Sequence, residues 1–200
     1  MVKDIRVPSG EFNDKSTYVA GVDIARTGKD ETAIVVLEQL PFDNNIFICY
    51  IETLHTPDLN MAINRMIFLN QIFNFKKIIC DETGLGAGVT DVLKQKLGVK
   101  VEGIWYTNKS KNEIFNNLKI LMTKKTARLY IPDYNTSTNP IIRKMFYQFL
   151  SINQEASETG NIKIYHEERS HDDIINALAL AASYFNIKKS VRSYPFLGIN

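Results

Sequence analysis

Tyr18-Val-Ala-Gly-Val-Asp-Ile-Ala25 is the stretch on which the fold turns. Seven of its eight residues suit a buried strand, and Asp23, flanked by Val22 and Ile24, is the exception. Aspartate is depleted from strands, so a carboxylate here points to a task rather than to packing. Two further β-rich runs follow, Thr32 to Leu37 and Ile46 to Ile51, after the turn-like segments Arg26 to Glu31 and Leu40 to Asn45. Short connections of this kind join antiparallel neighbours, which gives a three-stranded meander.

Beyond the meander the period changes. Leu59, Ile63, Met66, Ile67, Ile72 and Phe73 recur at helical spacing after Pro57, predicting a long amphipathic helix from Asp58 to Phe75. A short strand, Lys77 to Asp81, a helix from Val89 to Leu97 and a strand from Val99 to Tyr106 then alternate in the manner of parallel pairing. The expected sheet is therefore mixed. A helix from Ser110 to Lys124, a strand Leu129 to Ile131, a helix after Pro140, a hairpin turning at Thr159-Gly160-Asn161 and a last helix from Ser170 to Asn186 complete the chain. Residues 1–15 read as a tail or linker, 16–187 as one domain and 188–200 as a basic C-terminal tail.

The 200 residues are 44% hydrophobic and 23% charged, the usage of a globular domain with a sizeable core. Cys49 and Cys80 both lie in apolar strand-like runs, which points to buried thiols in a reducing cytoplasm rather than to a disulfide framework. Uninterrupted apolar runs, of which Ile46 to Ile51 is among the longest, cannot span a bilayer, so no membrane role is expected. A net charge of +2 excludes a uniformly basic chain, yet Lys109 to Lys144 holds eight basic residues against Glu113 and Asp133. That span suits phosphate contacts, with Lys109, Lys111, Lys119, Arg128 and Lys144 as DNA-binding candidates. Trp105 and Tyr106, just before it, are core or rim aromatics with a stacking role open to them.

Three carboxylate positions stand out: Asp23, Asp81 before Glu82-Thr-Gly-Leu-Gly86, and the pair Asp172 and Asp173 at the start of the last helix. Hard divalent ions such as Mg²⁺ or Mn²⁺ take carboxylate oxygens. Two of them about 3.5–4 Å apart can stabilise both the attacking and the leaving oxygen of a phosphodiester displacement. Acidic residues at a helix start also have a plain structural use, as favourable charges at its positive end. At 100° per residue Asp172 shares a face with Asn176 while Asp173 lies beside the apolar face, so Asp173 is the better-placed ligand, with Asp172 kept as an alternative. Asp30 and His171 flank the set as supporting residues. Asp23-Ile-Ala-Arg-Thr-Gly-Lys-Asp30 ends like a Walker A loop but lacks its first glycine and its final Ser or Thr, and is not one. Gly84, Gly86 and Gly88 likewise fail the dinucleotide fingerprint.

The element order resembles the ribonuclease-H-like nuclease fold: an α/β domain with a mixed five-stranded sheet, an antiparallel meander plus parallel strands, flanked by helices, with an added β-hairpin. More narrowly, Gly21-Val-Asp-Ile-Ala25, Asp81-Glu-Thr-Gly-Leu-Gly86, Ser110-Lys111, Ala127-Arg-Leu-Tyr-Ile-Pro132, the hairpin with Gly160 and His171-Asp-Asp-Ile-Ile-Asn-Ala-Leu-Ala-Leu-Ala181 look like the C-terminal nuclease domain of the large terminase subunit of tailed viruses. The resemblance implies a metal-dependent endonuclease cutting concatemeric double-stranded viral DNA with two divalent cations, Mg²⁺ or Mn²⁺. It implies Asp23, Asp81 and Asp173 or Asp172 as ligands, and the hairpin as a control on DNA access. It also implies a packaging ATPase domain, a portal and a small terminase subunit as partners, in the host-cell cytoplasm. Without a Walker A loop, the expectation is the nuclease part of a longer protein or a free-standing relative. The same fold would serve a RuvC-like junction resolvase or an RNase-H-like nuclease, and a catalytically silent DNA-binding or assembly module is the non-enzymatic alternative. An actin-like or sugar-kinase-like nucleotide site would need a second phosphate-binding half, for which 200 residues leave no room.

Overall fold

The computed structural model describes residues 15–25, 31–42, 44–55, 58–135, 137–156, 162–166 and 172–185. Both predicted tails apart from Lys15, the hairpin turn, Asp30 and His171 lie outside the described residues. Strands β1 (Thr17–Asp23), β2 (Thr32–Gln39) and β3 (Ile46–Leu54) form the antiparallel meander, followed by helix α1 (Leu59–Phe73) and strand β4 (Lys77–Asp81). Helix α2 (Gly86–Leu97) and β5 (Val101–Ile104) come next, then α3 (Asn108–Thr123), β6 (Leu129–Tyr130) and α4 (Pro140–Ser151). The hairpin β7 (Ile152–Ala156) and β8 (Ile162–His166) precedes α5 (Asp173–Ser183).

Helix boundaries follow local chemistry. Asp58 caps α1 by accepting from the Asn60 N–H at 2.9 Å, Thr107 and Ser110 form a reciprocal capping box on α3, and Asn139 with Pro140 opens α4. The last helix begins at Asp173, with Asp172 in the capping position.

The main sheet runs β5-β4-β1-β2-β3-β6, and β7 pairs only with β8. It has six strands rather than the expected five, because the two-residue β6 adds in parallel to β3 through Ile46–Leu129 and Phe47–Tyr130. The first and fourth strands are neighbours, and β1 pairs with β4 in parallel. Alternation along each strand divides the core in two. Val19, Val35, Ile48 and Ile79 face α3, α4 and α5, whereas Ala20, Val22, Ile34, Val36, Ile78 and Cys80 face α1 and α2.

Gly21 explains how α5 comes to lie so near β1. A Cβ at that position would stand 1.9 Å from the Ala177 carbonyl oxygen and 2.5 Å from the Ala181 nitrogen, so only a residue without one allows the approach. Ala177 and Ala181, both fully buried, serve the same end on the helix. Both cysteines are buried free thiols, and burial pushes that of Cys80 up to about 12. Among the described residues no helix is long and apolar enough to cross a membrane.

Candidate active site

Strand parity and register bring the first two carboxylates together. Asp23 is two residues beyond Gly21, and Asp81 two beyond Ile79, so both turn to the α5 face. The parallel pairing runs Gly21–Ile79, then Val22–Cys80, and the next step along each strand is Asp23 and Asp81. Adjacent strands lie about 4.8 Å apart, which puts two acids side by side at the C-terminal ends of parallel strands. Helix α5 crosses this face and delivers Asp172 and Asp173 at its N-terminus.

Asp23 sits at the centre. It is 8% exposed, and its Oδ2 accepts from Asn176 Nδ2 at 2.9 Å. Burial holds its carboxyl well above the ordinary aspartate range; the Asn176 hydrogen bond opposes this, and the carboxylates of Asp81, Asp173 and Asp172 add to it in that order. Asp81, Asp173 and Asp172 are thus among the charges around Asp23. Asp81, 2% exposed, accepts from the Thr83 N–H at 2.8 Å and so also shapes the turn after β4. Gly86 lets α2 start against this turn, since a Cβ there would meet the Asp81 carbonyl oxygen at 2.0 Å. Glu82, next in sequence, is drawn away by Lys94 Nζ at 2.5 Å.

Asp172 is buried and paired with Lys111 Nζ at 3.1 Å. The lysine lies over the rings of Tyr106 and Phe115, 5.9 and 5.6 Å from their centroids. One cation thus offsets part of the negative charge gathered around Asp23. Of the other basic candidates, Lys109 and Lys119 are exposed on α3. Arg128 donates to the Met122 carbonyl at 2.9 Å and covers the Tyr130 ring, and Lys144 pairs with Glu31.

Two residues escaped the sequence reading as parts of the site. Asn176, the polar interruption in an otherwise apolar helix, orients Asp23. Gln148 accepts from the Ile174 N–H at 2.9 Å, taking the place of the side-chain cap that Asp172 does not provide. Its signal was a polar residue on the buried stripe of α4, in step with Ile142 and Met145.

Among the described residues no group of three or more histidine, cysteine, aspartate or glutamate side chains forms a ready-made metal cage. The donor set nevertheless suits Mg²⁺ or Mn²⁺, because every candidate ligand is a hard carboxylate oxygen. Beside them the buried Asn176 Oδ1 has no hydrogen-bond donor among the described residues. Such an acceptor next to clustered acids suits a hydrated cation.

A family model described as the terminase RNase H-like domain matches residues 20–185. The chain belongs to this family. This terminase RNase H-like domain is 23% identical over 184 residues to the terminase large subunit of Thermus virus P23-45, covering 89% of this chain and 34% of that protein. It therefore spans about a third of the length of that relative. Among solved structures, the large terminase nuclease of thermophilic phage G20c with bound magnesium superposes with a TM-score of 0.68 at 19% identity, over 86% of this chain and 83% of that one. The large terminase nuclease domain of bacteriophage SPP1 with bound Mn gives 0.56 at 16% identity, over 86% and 88%. These likenesses show that the terminase RNase H-like domain has their fold, a mixed sheet flanked by helices.

Proposed function

We propose that the chain is a divalent-metal-dependent endonuclease that cuts concatemeric double-stranded viral DNA during packaging, by two-metal hydrolysis of a phosphodiester. The observation that carries this reading is the convergence of Asp81, Asp172 and Asp173 on Asp23, at the C-terminal ends of β1 and β4. Relatives solved with magnesium and manganese support the choice of ion. Asp23, Asp81 and Asp173 would hold the cations, with Asp172 in reserve. When bound, the ions supply Lewis-acid activation of water and stabilise the leaving oxygen. The protein's own part is to fix the acids: Asn176 orients Asp23, the Thr83 N–H orients Asp81, Gln148 anchors the α5 start, and Lys111 restrains Asp172.

Lys109, Lys111, Lys119, Arg128 and Lys144 supply phosphate contacts along the DNA on this reading. The partners are then double-stranded viral DNA, a packaging ATPase domain, a portal and a small terminase subunit, in the host-cell cytoplasm. Purified protein is expected to nick plasmid DNA with Mn²⁺ or Mg²⁺ and to stop in EDTA. Asp81→Asn should lose more than about 100-fold, beyond the 10–100-fold typical of residues that only support a ligand. Full activity of that variant would overturn the site, and cleavage that persists in EDTA would overturn the metal dependence.

A further inference from the structure

Asp81 and Asp172 stand on different elements, the end of β4 and the start of α5, yet a continuous set of contacts joins them. From Asp81 Oδ1 the first step is the Thr83 N–H, which donates to it at 2.8 Å. Thr83 Oγ1 in turn accepts from the Tyr106 N–H at 3.0 Å, so one residue serves both the carboxylate and the backbone that leads into α3. Tyr106 is the pivot, because its ring lies under Lys111 Nζ, 5.9 Å from the centroid. Lys111 closes the path on Asp172 Oδ2 at 3.1 Å.

The links are also held from outside the path. Ser110 Oγ donates to the Trp105 carbonyl at 2.8 Å and the Lys111 N–H to the Thr107 carbonyl at 2.9 Å, which fixes the first turn of α3 against the segment that follows β5. Phe115, one turn further along α3, adds a second ring 5.6 Å from the ammonium group. The side chains of Lys111 and Asp172 are 21% and 11% exposed, against 40% and 24% for the pair Lys94 and Glu82. Exposed pairs contribute little, so the inner pair is the one suited to holding a position. Asp172 is also released from the usual duty of its place: its side chain makes no cap bond, and Gln148 takes the Ile174 N–H instead.

A cation site assembled from several elements keeps its geometry only while those elements hold their spacing, to about 0.5 Å. The sheet register fixes Asp23 against Asp81, and Gly21 with Asn176 fixes α5 against β1. The span from the Asp81 turn to the start of α5 is bridged by Thr83, Tyr106 and Lys111. We infer that the Thr83 hydroxyl and Lys111 are positioning residues that act as one strut, setting the distance between Asp81 and the acids of α5. This rests on the nuclease reading and adds to it the residues that preset the cation site.

The test titrates Mn²⁺ alone into the full chain by calorimetry, without DNA, on variants shown by circular dichroism to be folded. Thr83→Val keeps the N–H to Asp81 and removes the acceptor for Tyr106, whereas Lys111→Met keeps the length of the side chain and removes its charge. Each should weaken Mn²⁺ binding by about 10–100-fold, the loss typical of residues that support a ligand. Because both lie on one path, the double variant should be no weaker than the weaker single, since members of one network do not add. Thr83→Ser and Lys111→Arg, which restore a hydroxyl and a cation, should recover most of the affinity, and Lys111→Gln replaces Lys111→Met should that variant fold poorly. Wild-type affinity in either single variant overturns the strut while the nuclease reading stands, and so does a double variant whose loss is the product of the two. A wild-type chain that takes up no Mn²⁺ overturns the strut, and if it also leaves plasmid uncut, the nuclease reading falls with it.

Discussion

On one side of the sheet, α5 meets β1 backbone to backbone through Gly21, Ala177 and Ala181; on the other, α1 stands off on Met66, Leu69 and Phe73. The first contact leaves no free volume to rearrange, because the neighbouring atoms are main chain. The second is made of flexible or rotatable side chains, with Phe73 stacked on Phe75 and tilted against Tyr18 and Tyr50. Polar groups follow the same division. The α5 face carries the clustered aspartates, whereas on the α1 face buried Glu38 accepts from the Tyr18 hydroxyl at 3.1 Å, the hydrogen-bonded set Tyr50, Glu52 and Arg65 clamps α1 to β3, and burial lifts Tyr50 to about 12. One face fixes positions to a fraction of an ångström; the other supplies bulk stability.

Three substitutions would break or sharpen that contrast. Gly21→Ala should have the largest effect, on the order of 5 kcal/mol or more, because the new methyl meets main-chain atoms that cannot swing aside. A thermal melt by circular dichroism should show a lost or much lowered transition, and a melt within a few degrees of wild type would refute the backbone contact. Met66→Ala, fully buried on α1, should cost about 2–5 kcal/mol as a cavity. Cleavage per folded molecule should stay near wild type, and a matching loss of activity would show that the α1 face also sets the site.

The smallest effect is expected from Glu31→Gln, at the edge of the α5 side. Burial pushes the Glu31 carboxyl up, but hydrogen bonds from Lys144 and Thr53 and the charge of Lys144 outweigh it and hold it below the ordinary glutamate value. Its folded form therefore binds protons more weakly than the unfolded chain. The stability it adds is present above the ordinary glutamate value and is lost as pH falls through the folded one. The variant should lose up to about 1 kcal/mol at neutral pH and nothing in strong acid. Denaturant melts at the two pH values check this, and an equal loss at both would assign Glu31 a packing role instead.

How much of this could be read from the chain depends on how local each feature is. The meander, α1 and the parallel β4 and β5 were legible because periodicity and turn residues are written in neighbouring positions. Strand β6 was underestimated as part of the sheet, since two residues carry no period and their pairing with β3 is a tertiary event. Asp23 and Asp81 could be picked out because a charge interrupts or ends an apolar run. Their mutual approach required only that the first and fourth strands be neighbours, as the resemblance to the ribonuclease-H-like fold implied. Asn176 and Lys111 escaped as partners of Asp23 and Asp172, because those contacts join residues 153 and 61 positions apart. Gln148 was hidden for a related reason: it caps a helix other than its own.

The separation between Asp23 and Asn176 also sets an order of assembly. Chains emerge from the ribosome N-terminus first, at about 5–20 residues per second, and early segments can collapse before later ones exist. The strands carrying Asp23 and Asp81 are available long before α5, the last described element, brings Asp172, Asp173 and Asn176. Until that helix docks on Gly21, the acids of β1 and β4 lack their remaining companions. The carboxylate cluster is therefore completed in one late step, when α5 docks on β1.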